Sequence, residues 1–439
     1  MLTCSDRYRS RGPHRALVDG MGYRRSVVYL IIALSLLAGL ATGRPFFFTV
    51  AYTFIGLLAF AFLWARGGVS GLHASRRTQS RHAQVGGHVE EVLTLRNVSL
   101  LPKLWVEVHD RSDLIGHRAS HVIGSLRPHA QVSWRVRTFC VQRGVYRLGP
   151  LRVVAGDPFG LFQVERQMNV TLPLIVYPPT VKLADFTLLP GPLPGGETLR
   201  RRAHYITPNA ASVRDYAPGD SLNRIHWLST ARKGRLMVKE FELDPLGDIW
   251  VFLDVERAVH VGEYAPTEAE VEPTEGRNRD RFAIPPTTEE YAVAAAASLV
   301  SHFLQRGRTV GLVAHGQRLD IVPADRGAHQ LARILEVLAA VEARGTRTFD
   351  QLLMLHTSHL ARGTAVILIT PSMRESWVRA AHVLARRGLR PTAVLIDPAS
   401  FGGRPGAETL VTQLAAADIP VYRLKLGDDL RRSLSQRYG

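Results

Sequence analysis

The segment 214–244 holds the side chains with the clearest capacity for acid–base chemistry. It reads RDYAPGDSLNRIHWLSTARKGRLMVKEFELD. An imidazole beside a carboxylate can act as a general acid–base pair, so one hypothesis pairs His226 with Asp220 or Asp215. Guanidinium groups would then hold an anionic substrate, and the arginines available are Arg214, Arg224 and Arg232. On this hypothesis the protein is a hydrolase or a transferase.

A structural interpretation of the same segment is the one that we favour. It makes Trp227 a core anchor and His226 its hydrogen-bonded neighbour, while the arginines bridge to acidic residues such as Glu240 and Glu242. A docking surface on this segment is compatible with either interpretation.

The elements that must position these side chains follow from local signals. Pro218 and Gly219 predict a turn, and Asp220 or Ser221 can cap the helix that follows by accepting hydrogen bonds from its free N–H groups. Gly234 is a suitable helix stop, and a strand is predicted over 236–243. The segment therefore predicts a turn, a short helix and a strand.

Two uncharged apolar runs, 26–42 and 46–64, lie near the N-terminus. Each is close to the ~20 residues that a helix needs to cross a bilayer. Only Gly43, Arg44 and Pro45 separate them, and proline stops one helix and starts the next. A cleaved signal peptide fits less well, because a second apolar run follows at once. The sequence predicts a transmembrane helical hairpin over 26–64.

Arginines set the expected orientation of this hairpin. Six precede the first run and four follow the second, against one in the loop. Cytoplasmic flanks carry such an excess, so the basic tail 1–25 and the whole soluble part are expected on the cytoplasmic side of the cell membrane.

The net charge of +17 does not indicate nucleic-acid binding once it is divided by region. Eleven arginines stand against two aspartates within residues 1–84, beside the apolar runs. Topology and anionic lipid account for this excess, so no nucleic-acid partner is expected. The two cysteines, Cys4 and Cys140, are too few for a disulfide framework.

After a predicted linker at 65–84, the hydrophobic period changes to two. The stretch QVSWRVR at 131–137 alternates polar with apolar residues, as does LWVEVH at 104–109. Short strands with frequent turns predict a small β-sandwich over 85–180. The segment with the His-Trp motif occupies 181–247.

From residue 248 to 427, predicted strands alternate with predicted helices. The run IWVFL at 249–253 is apolar throughout, as in a strand buried on both faces of a parallel sheet. Residues 309–323 instead predict two strands around a short turn, an antiparallel addition at one edge. We expect a doubly wound α/β domain, followed by a basic tail at 428–439.

A family resemblance rests on three strings. RDYAPGDSLNRIHWLSTAR at 214–232, with LMVKEFE after it, resembles the signature of the bacterial family called domain of unknown function, family 58. RGVYRLGP at 143–150 and DPFGLF at 157–162 resemble the approach to that signature. The paired N-terminal spans match the family layout. The motif residues, kept as a candidate docking surface, are Arg214, Asp215, Tyr216, Pro218, Gly219, Asp220, Arg224, His226, Trp227 and Arg232.

The resemblance implies a von Willebrand factor A-like C-terminal domain and no established activity. It also implies genes beside MoxR-type AAA+ ATPases and transglutaminase-like proteins. A-like domains often bind Mg²⁺ through Asp-x-Ser-x-Ser after the first strand, with a threonine and an aspartate from later loops. Here Asp254 is kept, but Glu256 and Ala258 replace the serines; Thr287 or Thr288 stands for the threonine. The later strand, ending ITPS at 369–372, offers no aspartate.

These departures lead us to expect no cofactor, with Asp254 and Glu256 as a degenerate Mg²⁺ site. The segment 263–286, rich in Pro, Glu and Arg, is expected to be a flexible insertion. The leading hypothesis is a membrane-anchored, non-catalytic adaptor whose A-like domain binds a protein partner such as a MoxR-type AAA+ ATPase. The alternatives are the enzyme built on His226 and an Mg²⁺-dependent ligand-binding protein.

Overall fold

The computed structural model describes residues 14–183, 186, 210–216, 225–241, 247–267 and 284–436. The chain forms two compact units. The first comprises Met1–Tyr177 and Pro266–Phe282, and the second Pro178–Ala265 and Ala283–Gly439. Each unit is described separately below. Most of the predicted insertion, residues 268–283, lies outside the described residues, so that prediction stays a prediction.

The first unit starts with two long apolar helices, α1 (His14–Thr42) and α2 (Pro45–Val69). Gly43, at a φ of 65° that glycine adopts without strain, and Pro45, which starts α2, make the reversal between them. The segments Tyr23–Thr42 and Pro45–Val69 are long and apolar enough to cross a membrane, and they are only 6% and 11% buried. The prediction of two N-terminal apolar helices is confirmed.

Ten strands follow in three sheets. The first sheet has the order β1-β3-β6, the second β2-β10-β7 and the third β5-β4-β8-β9. The strands are β1 (Leu72–Thr78), β2 (His82–Gln84), β3 (His88–Asn97), β4 (Lys103–Asp110), β5 (His121–Leu126), β6 (Gln131–Phe139), β7 (Gly144–Leu148), β8 (Leu151–Gly156), β9 (Gln163–Met168) and β10 (Leu172–Tyr177).

The predicted linker at 65–84 is wrong. It holds the end of α2 together with β1 and β2, and β1 pairs with β3 along its whole length. The reason is that β1 (LHASRRT) has one large apolar residue at its inward positions, Leu72, and the inward positions after it hold the small or polar residues Ala74, Arg76 and Thr78. A strand of this kind has the composition of a loop.

The main core of this unit lies between the first and third sheets. Leu93 and Leu95 of β3 face Val106 and Val108 of β4 and Val153 of β8, all at most 1% exposed. A smaller core around the second sheet contains Cys140, Leu148 and Leu174. Inward-facing alternation therefore fills the sandwich-like region as its sequence pattern predicts.

The last turn of α2 belongs to the main core. Val69 packs within it, and a Cβ on Gly68 would lie only 2.9 Å from the Cβ of Ala155. Lys103 of β4 is buried, and its Nζ donates to the carbonyl oxygen of Gly67 at 2.5 Å, a cation at the negative end of the helix dipole. Burial lowers the pKa of Lys103. Helix α2 and the strands thus share one hydrophobic core.

The second unit contains a two-stranded sheet and a six-stranded sheet. Strand β11 (Ala210–Asp215) pairs antiparallel with β12 (Met237–Phe241), and α3 (Trp227–Lys233) lies between them in sequence. The larger sheet consists of β13 (Ile249–Leu253), β14 (Val310–His315), β15 (Leu319–Asp325), β16 (Ala365–Thr370), β17 (Arg390–Ile396) and β18 (Val421–Leu424).

The order of this sheet is β15-β14-β13-β16-β17-β18, and every pair is parallel except β14 with β15. The antiparallel edge was predicted at 309–323 and is confirmed. The chain places β14 on one side of β13 and β16 on the other. A crevice for ligands is typical at the carboxyl ends of strands where the order reverses in this way.

Helices cover both faces of the sheet. Helices α4 (Thr288–Gln305) and α5 (Gly327–Ala340) contact each other and the strands β13 and β14. Helices α6 (Phe349–His356), α7 (Glu375–Arg386) and α8 (Ala407–Ala415) share a core with Trp250 and Phe252 of β13. A short helix α9 (Leu430–Ser433) follows β18. Residues 428–436, predicted as a basic tail, therefore include a helix.

Candidate functional site

The carboxyl ends of β13 and β16 bring Asp254 and Thr370 together. Strand β13 is buried at all five positions, and Asp254 follows it directly with 2% exposure. The Thr370 hydroxyl donates to Asp254 Oδ2 at 2.6 Å, and the Glu256 backbone N–H donates to Asp254 Oδ1 at 3.0 Å. Both carboxylate oxygens of Asp254 therefore accept a hydrogen bond from the protein itself.

Glu256 lies beside Asp254 and is held by an arginine. Nη1 of Arg374, the residue before α7, lies 2.9 and 2.8 Å from the two carboxylate oxygens of Glu256. The carboxylate is 6% exposed and the guanidinium 44%. The arginine therefore supplies a positive charge at the edge where A-like domains place a metal.

Burial raises the pKa of Asp254 to about 7. The hydrogen bonds from Thr370 and from the Glu256 backbone oppose this rise, the negative charge of Glu256 adds to it, and Arg374 opposes it. The Asp254 carboxyl is thus close to half protonated near neutral pH. A buried carboxylate with too little positive charge nearby behaves in this way.

The residues at this edge fit Mg²⁺ poorly. The ion prefers six oxygen ligands in octahedral geometry, but Glu256 is engaged by Arg374 and Asp254 by Thr370. Thr287 instead caps α4 by accepting from the Glu290 N–H. The Thr288 hydroxyl accepts from the Val261 N–H at 2.8 Å.

A cavity of about 470 Å³ opens at the same carboxyl edge, beyond β14. Its lining includes Gly316 at the β14–β15 turn and the polar pairs Arg318–Asp320 and Arg344–Glu342, with N–O distances of 3.0 and 2.6 Å. Each arginine has a carboxylate beside it, so the lining offers little free positive charge to an anionic ligand.

His226 serves as the cap of α3. Its Nδ1 accepts from the Ser229 backbone N–H at 3.2 Å and lies 2.7 Å from the Ser229 hydroxyl oxygen. Its own backbone N–H donates to Met237 O at 2.8 Å, which fixes the start of the helix on β12. One ring nitrogen is therefore committed to holding the helix end.

The partners proposed for His226 are placed as follows. Asp215 ends β11 and forms an ion pair of 3.0 Å with Arg235 at the surface. Arg214 belongs to β11, and the Tyr216 N–H donates to Leu236 O at 2.9 Å. Pro218, Gly219, Asp220 and Arg224 lie outside the described residues.

The interpretation of Trp227 as a core anchor is wrong. Trp227 is 68% exposed and Leu228 73% exposed, and α3 has no buried residue, Arg232 included. Ile225 and Met237 hold this region instead, at 6% and 2% exposure. The helix thus presents two large apolar side chains to the outside.

An ionic cluster in the first unit escaped the sequence analysis. Arg76 of β1 lies 3.1 Å from Glu91 of β3 and 2.7 Å from Asp110 of β4. Nε2 of His117 lies 3.0 Å from each carboxylate, and its Nδ1 is 2.7 Å from the Thr138 hydroxyl. The four charged side chains are at most 2% exposed.

A sequence signal for this cluster exists, because Glu91 occupies an inward position of β3 between Val89 and Leu93. Within the described residues, Glu91, Asp110 and His117 are the one group of three or more His, Cys, Asp or Glu side chains close enough to share a metal ion, with ligand atoms within 4.8 Å. The adjacent Arg76 already provides a positive charge there. We interpret the cluster as a structural link between two sheets.

The charges of this cluster shift one another's pKa values. Burial lowers the pKa of His117, but hydrogen bonds to Asp110 and Glu91 outweigh burial and raise it overall. Burial raises the pKa of Asp110, yet His117, Ser112 and Arg76 lower it overall. Arg76, together with His117 when it is protonated, therefore stabilises two carboxylates in the interior.

With the fold and these geometries in place, the chain can be classed as a protein with two apolar N-terminal helices and a sheet-rich body. The family described as "Protein of unknown function DUF58" matches residues 212–271. Uncharacterized protein YeaD of Bacillus subtilis (strain 168) is 21% identical over 401 residues, covering 84% of this chain and 93% of that protein. Residues 212–271 are therefore similar to the DUF58 family, and most of the chain is similar to YeaD.

Solved structures add little. BatB from Bacteroides thetaiotaomicron is 12% identical, with a TM-score of 0.28, and covers 43% of this chain and 96% of its own. The CARDB domain of the PF1109 protein from Pyrococcus furiosus is 14% identical, with a TM-score of 0.19, and covers 24% and 86%. Scores this low carry no argument about fold or function.

Proposed function

We propose that this protein is a membrane-anchored, non-catalytic adaptor whose second unit, an A-like domain in this proposal, binds a protein partner. The partner that we put forward is a MoxR-type AAA+ ATPase. The proposal places α1 and α2 in the cell membrane and both units on the cytoplasmic side, because arginines flank the apolar runs on that side.

The exposed pair Trp227 and Leu228 carries this proposal. Large aromatic side chains dominate the energy of protein interfaces, whereas soluble surfaces seldom present them side by side. The pair lies on a short helix whose start is fixed by His226 and whose strand neighbour is β12. It also lies within the residues that match the family. A rigid, apolar, family-specific surface favours docking.

Three observations weigh against the enzyme alternative. Nδ1 of His226 caps α3, and Asp215 pairs with Arg235. Burial raises the pKa of the Cys140 thiol to about 11, so this thiol stays protonated at neutral pH and is a poor nucleophile. The candidate catalytic side chains His226, Asp215 and Cys140 are therefore better explained by structural roles than by catalysis.

The test is co-purification of the full-length protein from native membranes in mild detergent, with and without ATP and Mg²⁺. We expect an AAA+ ATPase in the eluate that changes with nucleotide. The double variant W227A/L228A should lose most of it, because truncating central aromatic anchors costs about 2 kcal/mol or more, roughly a 30-fold loss of affinity.

The matched control is M354A/L355A, which removes two apolar side chains of α6 that are 50% and 53% exposed. This control should keep the partner. A clean eluate from the wild type under both conditions would contradict the adaptor proposal, and equal losses in both double variants would contradict docking through α3.

A further inference from the structure

Two loops of the first unit present exposed apolar side chains around the C-terminal end of α2. The loop leading into β4 exposes Leu100 by 82% and Leu101 by 59%, and the start of β4 exposes Trp105 by 61%. The loop between β8 and β9 exposes Phe159 by 46%. We call these four side chains the apolar rim. Their exposure to water is unfavourable, at about 25 cal/mol for each Å² of apolar surface.

The first loop lies against the last turn of α2. Lys103 binds the carbonyl oxygen of Gly67, and Leu101 Cδ1 would lie 3.8 Å from a Cβ on Gly67. Trp105, two residues after Lys103, has a φ of 53°, an uncommon conformation for an aromatic residue. The indole of Trp105 is thus exposed next to the helix end instead of packing into the core.

The second loop lies along α2 at the depth of the apolar run. The ring centroid of Phe159 is 6.4 Å from that of Phe60, and the ring of Phe162 is 5.7 Å from that of Phe62. Phe60 lies nine residues before the end of α2, about 14 Å along the helix axis at ~1.5 Å per residue. The loop therefore reaches the level of the segment expected to cross the membrane.

The Asp157 carboxylate fixes this loop. Its Oδ2 accepts from the Phe159 N–H at 2.8 Å, and its Oδ1 accepts from the N–H groups of Leu161 and Phe162 at 2.8 and 2.5 Å. Asp157 is 8% exposed. The hydrogen bonds to Asp157 therefore fix the backbone conformation in which Phe159 is exposed.

Arginines of α1 lie at the same level. Arg25 Cζ is 5.7 Å from the centroid of the Phe162 ring, within the range of a cation–π contact. Arg24 Nη1 would lie 2.8 Å from a Cβ on Gly160, so the tip of this arginine closely approaches the loop backbone. Arginines beside a span are typical of the phosphate layer, which places this loop at the boundary between headgroups and acyl chains.

We propose that the apolar rim inserts into the interface of the bilayer that α1 and α2 cross, with Phe159 deepest, beside Phe60, and the other three side chains in the headgroup layer near the end of α2. Aromatic and leucine side chains favour this layer, and anionic lipid adds attraction for the arginines. The strands then lie directly on the membrane surface. This inference rests on the membrane anchor of the proposed function.

The experiment uses full-length protein in vesicles of phosphatidylcholine and phosphatidylglycerol. A nitroxide is attached to a cysteine introduced at Leu100→Cys or Phe159→Cys. The background is Cys4→Ser, in which the remaining Cys140 is buried. Collision rates with oxygen and with a water-soluble nickel chelate give the depth of the label. We expect the label at 159 to favour oxygen, as a position below the headgroups does, and the label at 100 to give a value between those of position 159 and of a position in water.

Two reference positions make the outcomes distinct. Val145→Cys, on a 60% exposed residue of β7, should favour the nickel chelate, and Ile55→Cys, within α2, should favour oxygen. The rim proposal would be overturned if the labels at 100 and 159 gave the same collision rates as the label at 145 while the label at 55 favoured oxygen. That result would leave the membrane anchor intact. If position 55 also reads as aqueous, the membrane anchor fails, and this inference fails with it.

Discussion

Each unit contains a buried pair of carboxylates, and the positive charge supplied by neighbouring basic side chains differs between the two pairs. In the first unit, Glu91 and Asp110 share Arg76 and His117, and all four are at most 2% exposed. At the edge of the six-stranded sheet, Arg374 contacts Glu256 and is itself 44% exposed. The pKa of Asp110 falls, whereas burial raises that of Asp254 to about 7.

This difference indicates a structural role for the cluster around Arg76 and a titratable, partly solvent-accessible site at the edge with Asp254 and Glu256. A buried ionic group with matched charges is locked, because removing one partner leaves an uncompensated charge in the interior. The sheet edge carries a carboxyl that gains or loses a proton near neutral pH, together with an arginine that reaches solvent. The edge of the second unit can therefore respond to a partner, and the cluster of the first unit holds two sheets together.

The largest expected effect comes from Arg76→Met. It leaves Glu91 and Asp110 with His117 alone, and we expect a loss of about 3–5 kcal/mol in stability of the first unit. The comparison variant is Arg374→Met, which removes a 44% exposed arginine from the buried Glu256 and should cost less in the second unit than Arg76→Met costs in the first. Hydrogen exchange of the amides in β3 and in β13 measures the two effects. Equal losses would contradict the distinction between the two pairs.

The next effect is a difference in pH dependence. The folded pKa of Asp254, about 7 against 3.8 for the free group, makes the second unit lose stability as pH rises from about 4 to 7. The raised pKa of His117 keeps its contribution present below 6.5, and this is lost as pH rises through the folded pKa. The stability of the first unit should therefore fall at a higher pH than that of the second unit.

These pH ranges can be measured from the denaturant midpoint of each unit at several pH values between 4 and 9. Pulsed hydrogen exchange reports the unfolding of the two units separately. Asp254→Asn should weaken the pH dependence of stability in the second unit and leave that of the first unit unchanged. His117→Asn should weaken the pH dependence in the first unit and leave that of the second unchanged. A decline of the second unit that persists in Asp254→Asn would assign the effect to another group.

The smallest effect concerns Mg²⁺. Because Arg374 holds Glu256, about 5 mM Mg²⁺ should leave the stability of the wild-type second unit unchanged, since only a bound ligand stabilises a fold. In Arg374→Ala the carboxylate is released, and a small Mg²⁺-dependent rise in midpoint is expected. A clear rise in the wild type, abolished by Asp254→Ala, would favour the Mg²⁺-dependent alternative.

The helices and the alternating second unit were predictable because continuous apolar runs identify membrane-length helices and buried parallel strands. The ionic cluster was not, since Arg76, Glu91 and His117 are far apart in sequence and meet only through the pairing of β1 with β3 and the loop after β4. Strand β1 was missed for a related reason: its polar side chains are buried by charge partners that the sequence does not identify.

At the candidate site, Asp254 and Glu256 followed from the resemblance to A-like domains, but the role of Arg374 did not. A sequence without tertiary contacts gives no sign that a guanidinium four residues after Thr370 reaches back to Glu256. Trp227 was assigned to a core from residue type alone. Aromatic residues are common both in cores and in interfaces, and only the three-dimensional structure separates the two.

The most direct test of the adaptor role is site-specific photocrosslinking in native membranes, with a photoreactive amino acid at Trp227 in one variant and at Met354 in the other. Both positions are exposed, at 68% and 50%, and they lie on different helices of the second unit. We predict a discrete crosslinked product from position 227, containing an AAA+ ATPase, and none from position 354. No product from either position, with intact protein in the membrane, would contradict the account.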